Sequence, residues 1–530
     1  MRKFSSYGPI NTNQHYYVPR TELIDQTCRQ LIGEEVDEGG HYITIWAPRQ
    51  TGKTWLLQQA RQRLDQRGDF EVAILTMQSA KNVETTTDVL EVLITNVRNW
   101  FRRDDLPYIR DWKELRTLFT PRYFAKPLIL ILDEFDALRP EFINAFANEF
   151  RSIYLDRNNQ VGKPSQEKTY ILHGLALIGV RSVLGIENVT GSPFNVQRSV
   201  HVPNLTEDEV ASMFRWYEEE SGQQVEAAVV DRLFYETRGQ PGLVSWFGEL
   251  LTETYNRHES AITEHDFAAV FSAGLNLLPN NNILNIISKA NTSPYRETVL
   301  KLFNTNEKIP FRYDNRHLNY LYLNGVIEPQ PEEDLTYSVR FASPFVQKRL
   351  FHYFADELTP SLARLYDPFD DLSDTITETT LSIPHIMHRY EVYLHQHRER
   401  LLADVPRRES DNRVMEAIFH FNLYTWLLQF LAGFGGRVVP EFPTGNGKID
   451  LLITYADRLY GVEVKSFLNR KQYQTALEQA ARYGQELGQT EIWLVFFVEV
   501  ISDENREVFE VTYMDRTTGV KVHPVFLATG

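Results

Sequence analysis

Residues 42–54 read Tyr42-Ile-Thr-Ile-Trp-Ala-Pro-Arg-Gln-Thr-Gly-Lys-Thr54. The apolar, β-rich run Tyr42–Trp46 predicts a buried strand, and helical patterning resumes at Thr54–Leu64. Between them lies a loop closing on Thr51, Gly52, Lys53 and Thr54. At such a junction the backbone N–H groups and the helix N-terminus converge on one point, as a phosphate anion requires. Lys53 is then placed for the β- and γ-phosphates and the Thr54 hydroxyl for Mg²⁺. Ala47 stands where such loops carry their first glycine, which predicts an altered entry turn on an intact cradle.

A second run, Pro127-Leu-Ile-Leu-Ile-Leu-Asp133-Glu134, predicts a buried strand ending in two carboxylates. Asp133 is placed for Mg²⁺ and Glu134 for orienting an attacking water. The two stretches, in this order, predict that the chain binds ATP or a close relative. Val72–Thr76 and Leu175–Val180 are further strand candidates, so the first 200 or so residues alternate as an α/β layer fold does. From Leu205 the pattern is helical, opening on the capping box Thr206…Glu209. Helices at Pro294–Phe303 and Arg316–Asn324, a hairpin of Val326–Glu328 with Tyr337–Phe341, and a helix at Phe345–Phe354 follow in winged-helix order. The hairpin tip holds Glu332, Glu333 and Asp334, which repel a DNA backbone and point this module toward protein. Thr359–Thr380 reads as a linker, Arg389–Leu402 as a polar helix, and a last unit begins near Pro406.

Composition narrows the class. The chain has 530 residues, 42% of them hydrophobic, with a single cysteine, Cys28. That predicts several globular domains, excludes internal disulfides, and fits a reducing, cytoplasmic setting. MRKFSSYGPI lacks the apolar run of a secretory leader, and the longest greasy stretches are too short for a membrane span. The 55 Lys and Arg against 71 Asp and Glu leave a net charge of −16, so any nucleic-acid contact must use a local basic patch. Arg398, Arg400, Arg407, Arg408 and Arg413 form one such cluster.

The last 120 residues carry a second constellation. Asp450 opens an apolar run to Tyr455, and Glu463 and Lys465 lie in Leu459-Tyr-Gly-Val-Glu-Val-Lys465. With a tight turn centred between residues 456 and 457, positions whose numbers sum to 913 face each other. Asp450 and Glu463 form such a pair, and Lys465 shares the face of Glu463. Two carboxylates that close repel unless a cation or proton lies between them. An oxygen-rich pair suits Mg²⁺ or Mn²⁺, with Lys465 offsetting charge on a reacting phosphodiester. Upstream, Glu416 lies on the apolar helix Val414–Leu431, sharing a face with His420, Leu423 and Leu427. Downstream, Gln479 and Tyr483 are neighbours on the helix Gln472–Leu487.

The N-terminal motifs resemble those of the AAA+ ATPases, in particular their signal-transducing (STAND) and origin-recognition-like branch, over about residues 10–355. That resemblance implies an ATPase core over 1–203, a helical lid over 204–290 and a winged helix over 291–357. It places Arg20 of Tyr17-Val-Pro-Arg20 beside the adenine, makes Arg181 a γ-phosphate sensor, and sets Pro241 of Arg238-Gly-Gln-Pro-Gly242 against the nucleotide. After a linker and polar helix over 358–405, residues 406–530 resemble the PD-(D/E)XK nuclease superfamily. Here the resemblance makes Asp450, Glu463 and Lys465 the catalytic set, Glu416 its first-helix acid, and Gln479 and Tyr483 its Q-x-x-x-Y element. Ile449 replaces the proline before Asp450.

The expected fold class is therefore α/β and multidomain: a P-loop parallel sheet with lid and winged helix, then an α/β nuclease fold. The expected function is an ATP-regulated, Mg²⁺-dependent endonuclease on nucleic acid, DNA before RNA, with a role against foreign DNA. ATP is bound, and either only held or slowly hydrolysed, and a homo-oligomer pairing two cleavage sites is one route of control. The rival is a nucleotide-dependent switch or scaffold whose last domain binds nucleic acid or protein without cutting. Motifs of a motor beyond the two nucleotide-site stretches are missing.

Overall fold

Four apolar runs become parallel strands: β1 (Tyr42–Trp46), β2 (Glu71–Thr76), β3 (Leu128–Asp133) and β4 (Leu172–Gly179). With β5 (Gln197–His201) they form one sheet in the order β2-β3-β4-β1-β5. The structure, a computed structural model, describes residues 1–530 apart from 9, 180–196, 259, 305–307, 368, 408–413, 442–448 and 468. Strands buried on both faces are what an all-parallel sheet needs, because helices cover each side. One apolar cluster holds Leu90, Leu130 and Phe146, and another holds Leu57, Ile131 and Ile178. β5 escaped the sequence reading because Gln197-Arg-Ser-Val-His201 is polar and lies at the sheet edge. The helix after β1 runs Lys53–Arg67, one residue earlier than expected. The lid begins on the helix Glu207–Ser221, where Thr206 and Glu209 form both bonds of the capping box.

The chain divides into two compact units. The first is Met1–Asn282 with Tyr322–Gly325, and the second is Ile283–Leu321 with Val326–Gly530. In the second unit, β6 (Ile327–Pro331) and β7 (Tyr337–Phe341) make the expected hairpin, closed by the helix Pro344–Leu358. Glu332 at its tip is paired with Lys308 and accepts from the Ser338 hydroxyl at 2.5 Å, while Glu333 and Asp334 stay exposed. The segment 359–380 carries no helix or strand among its described residues. The helix predicted at Arg389–Leu402 starts earlier and spans Ile383–Leu401, with Pro384 in its first turn, where a proline's missing N–H costs nothing. Among the described residues, no helix is long and apolar enough to cross a membrane.

The second unit's main sheet has the order β12-β13-β11-β10-β9-β8. Its strands are β8 (Arg437–Glu441), β9 (Ile449–Tyr455), β10 (Arg458–Ser466), β11 (Glu491–Val498), β12 (Tyr513–Met514) and β13 (Lys521–Ala528). The helix Arg470–Glu486 lays Leu477 and Ala480 on Leu494 and Phe496. The helix Glu416–Ala432 packs on the opposite face, where Phe419 and His420 meet Phe497. The β9–β10 turn is Ala456-Asp457, with φ of 46° and 59°. Two left-handed residues are the signature of a two-residue hairpin loop whose twist matches its strands. Ala456 adopts this conformation at a steric cost of about 1–2 kcal/mol. Ala456→Gly is expected to raise the denaturation midpoint of this unit by the equivalent of about 0.5–1 kcal/mol, readable by urea unfolding followed by tryptophan fluorescence.

Candidate functional site

The loop after β1 takes its left-handed turns at Gln50 (φ 56°) and Gly52 (φ 88°). Ala47 is absent from the left-handed positions and is fully buried, which explains why an alanine serves at that place. Lys53 opens the helix and donates to the carbonyls of Ala47 (2.7 Å) and Pro48 (2.6 Å). Burial lowers its pKa to about 8, with Asp136 and Asp133 opposing that shift. The Thr51 hydroxyl donates to Pro48 O at 2.9 Å and ties the loop's two ends. Thr54 Oγ1 donates to Asp133 Oδ2 at 3.1 Å, so the two carriers of Mg²⁺ chemistry named from sequence touch. Desolvation raises the pKa of Asp133, while the Glu134 N–H and the Thr54 hydroxyl pull it down. A nearby divalent cation favours the ionised form of such a carboxyl.

Glu134 follows in the left-handed conformation (φ 54°), and its Oε2 accepts from the Thr76 hydroxyl at the end of β2, 2.7 Å away. Thr76 went unremarked in the sequence because it ends a strand as many threonines do. The lid closes the other side. Pro241 is the first residue of the helix Pro241–Glu249, and the next N–H, that of Gly242, donates to Gln50 O at 3.0 Å. Gln240 Nε2 donates to Arg49 O (3.0 Å) and Gln50 O (3.2 Å), while its Oε1 caps Leu243 N. A Cβ on Gly242 would meet the Gln50 side chain at 2.5 Å, so only glycine permits this approach. Together Gly52, Lys53, Thr54 and Pro241 line a cavity of about 270 Å³, walled on one side by Ser5–Gly8.

The structure does not bring Arg20 to that cavity. Its guanidinium donates to Pro203 O at 2.6 Å and lines a separate hollow with Thr206 and Glu209. Nη2 is buried without a hydrogen-bond partner among the described residues, and desolvation lowers the pKa of the group. A backbone carbonyl 183 positions away along the chain holds it. Arg181 lies outside the described residues.

In the second unit the register pairs Asp450 with Glu463 across β9 and β10. Glu463 and Lys465 are 3% and 4% exposed, so neither belongs to a solvated charged face. Lys465 Nζ sits 2.6 Å from Glu463 Oε1 and donates to Gln479 Oε1 at 3.0 Å. Gln479 is thus brought to the pair from the helix Arg470–Glu486. Tyr483 follows it one turn later. Glu463 Oε2 is buried with no hydrogen-bond partner among the described residues. Such an oxygen costs about 1–3 kcal/mol or more in a protein interior, and a cation relieves that cost.

The side chains of Asp450 and Glu416 lie outside what the structure describes; their backbones do not. Glu416 opens the helix Glu416–Ala432, whose first turns rest on Phe497, the register partner of Ser466. The start of that helix therefore lies at the end of β10 that carries Lys465, in the opposite layer. His420, one turn on, is fully enclosed with neither ring nitrogen bonded among the described residues, and burial lowers its pKa to about 4. It is neutral at physiological pH.

The basic cluster is less free than the sequence suggested. Arg398 donates to Thr529 O (3.0 Å), Arg400 to Ser361 O and Arg407 to Leu402 O (3.3 Å), so three of its side chains brace backbone. Arg408 and Arg413 lie outside the described residues. Two further charged residues went unread. Glu441 ends β8 opposite Asp450, and Lys348, from the helix Pro344–Leu358, reaches Glu441 Oε2 at 2.8 Å.

No protein-family model matches the sequence, and no curated protein is significantly similar to it. Solved structures do show likeness. A Walker-type ATPase of Pyrococcus abyssi is 16% identical over 66% of this chain and 99% of its own, with a TM-score of 0.40. The Orc1 protein of Aeropyrum pernix, solved in complex with DNA, is 16% identical over 64% of this chain and 94% of its own, with a TM-score of 0.33. Cdc6p of Pyrobaculum aerophilum is 14% identical over 67% of this chain and 97% of its own, with a TM-score of 0.36.

Proposed function

We propose that the chain is an ATP-binding protein of the AAA+, origin-recognition-like type whose second unit is a metal-dependent nuclease of the PD-(D/E)XK kind, acting on DNA under ATP control. For the nucleotide half, the carrying observation is the Thr54–Asp133 contact at 3.1 Å beneath a cavity walled by Gly52, Lys53 and Pro241. The residues fit MgATP. Lys53 holds two loop carbonyls and can exchange them for phosphate oxygens, and Thr54 and Asp133 are adjacent oxygen donors. Glu134 is parked on Thr76. Hydrolysis requires that carboxylate to turn toward a water at the terminal phosphate, so slow turnover is the natural state of this geometry.

For the nuclease half, the carrying observation is Glu463, a buried carboxylate with one oxygen on Lys465 and the other without a hydrogen-bond partner among the described residues, in register with Asp450. The pair Asp450 and Glu463 would hold Mg²⁺ or Mn²⁺, which when bound supplies Lewis acidity toward a phosphodiester. Lys465, fixed between Glu463 and Gln479, holds an ammonium where an anionic scissile group would lie. Gln479 limits the lysine to that direction. The winged-helix hairpin, with Glu333 and Asp334 exposed at its tip, turns DNA away and suits a protein contact.

The deciding experiment is incubation of supercoiled plasmid with the full chain and Mg²⁺, with and without ATP. Nicking or linearisation that needs the metal and changes at least several-fold with ATP is expected. ATP binding with no cleavage under any divalent ion would leave a nucleotide switch or scaffold instead.

A further inference from the structure

Three neighbouring strands each carry an acid on one register line. Glu441 of β8 faces Asp450 of β9, and Asp450 faces Glu463 of β10. Direct pairing in antiparallel ladders sets the three positions in one row across the sheet. Glu441 is thus a third acid in the row and lies outside the D…ExK pattern. Each end of the row has its own lysine: Lys465 on Glu463 at 2.6 Å, and Lys348 on Glu441 at 2.8 Å.

Lys348 has no solvent exposure at all. Taking an ammonium and its partner out of water costs several kcal/mol per ion, and an apolar pair of similar volume is often as stable or more so. Lysine is therefore a poor choice for packing alone in the helix Pro344–Leu358, which otherwise lines its buried side with Phe345, Leu350, Phe351 and Phe354. An acidic row alone would not identify a ligand. The independent sign of one is Glu463 Oε2, buried and without a donor among the described residues.

We infer that Lys348 is the built-in counter-charge of this metal site: acting through Glu441, it sets how strongly the Asp450–Glu463 pair holds a divalent ion. The inference rests on reading that pair as metal-binding. A dication there is attracted by three acids and repelled by two ammonium groups. Removing the Lys348 charge takes away one repulsion and leaves the Glu441 charge without that offset. Removing the Glu441 charge instead takes away one attraction and leaves the ammonium. Lys348 is a positioning residue, and any displacement of the helix that carries it acts on the metal.

The test is Mn²⁺ titration of the full-length protein without nucleotide, followed by calorimetry. Lys348→Met should tighten Mn²⁺ binding by about tenfold or more, and Glu441→Gln should weaken it by a similar factor. The double variant should return to within about threefold of wild type, because the two changes offset each other. A merely structural pair would lower affinity in both single variants or leave it unchanged. If Lys348→Met does not fold, Glu441→Gln and the double variant still test the inference: Glu441→Gln binding as tightly as wild type or tighter, or a double variant no tighter than Glu441→Gln, overturns it. Glu463→Gln separates the two claims. If it binds Mn²⁺ like wild type, the metal reading itself falls and this inference with it. If it loses Mn²⁺ while the Lys348 and Glu441 variants match wild type, only this inference falls.

Discussion

Glu463→Gln is expected to lower metal-dependent cleavage by more than about 100-fold while leaving ATP affinity unchanged. The lower bound follows from the 10–100-fold loss typical when a group that merely supports a metal ligand is removed. Glu463 is proposed as a ligand itself, so its loss is expected to exceed that. The substitution keeps the volume and lets Oε1 still face Lys465, but it puts an amide N–H₂ where the orphaned oxygen is. A donor there repels a cation, and the neutral side chain no longer balances the buried ammonium. Breaking a buried pair costs on the order of 3–5 kcal/mol when one partner is left charged. The Gln479 carbonyl, 3.0 Å from Lys465 Nζ, moderates that cost, and a far-ultraviolet spectrum and thermal melt establish that the unit still folds. Supercoiled plasmid, Mg²⁺ and a time course read the effect. Cleavage by the folded variant at the wild-type rate would remove Glu463 from the chemistry. The P-loop lies in the other compact unit, so an equal loss of ATP binding would point to global damage instead.

Legibility varied with the kind of constraint. The Asp450–Glu463 register could be computed because a two-residue turn leaves no freedom: once Ala456 and Asp457 are the loop, every partner follows. Glu441 sits on the same register line by the same rule, but the segment that separates it from β9 offers several competing turn positions in Pro443, Gly445, Asn446 and Gly447, so no single sum could be fixed. The cradle around Lys53 was equally legible, since a strand, a glycine and a helix start are local features. Arg20 was not. A short apolar–Arg motif fixes where the side chain begins, whereas the carbonyl of Pro203 that holds it is a matter of tertiary packing. Lys348 was invisible for a related reason. A lysine on a helix reads as a solvated position until a distant acid is shown to enclose it. β5, polar and at the edge, lacked the apolar run that marked β1, β3 and β4.

ATP affinity should fall as pH rises through about 8, and this dependence should vanish in Lys53→Met. In the free protein the Lys53 pKa is lowered to about 8 from the usual range near 10.5, chiefly by desolvation. Bound phosphates favour the ammonium, so the pKa in the complex is higher than in the free protein. Binding therefore takes up a proton at any pH between the two values. The sign follows: full affinity below about pH 8, then a loss approaching tenfold per pH unit until the pKa of the complex is reached. Measurements from pH 7.5 upward avoid the terminal phosphate's own ionisation, which is essentially complete there. Lys53→Met should weaken ATP by about 10–150-fold at pH 7.5, equivalent to about 1.5–3 kcal/mol for a charge-assisted hydrogen bond. The methionine also leaves the carbonyls of Ala47 and Pro48 without their donor, so part of the loss reflects a loosened loop. The pH profile separates the two contributions. A loosened loop weakens binding equally at pH 7.5 and 9.5, whereas loss of a titrating ammonium flattens the slope. A slope that survives in the methionine variant would assign the titration to another group, and His201, whose pKa burial lowers further still below neutrality, cannot supply it.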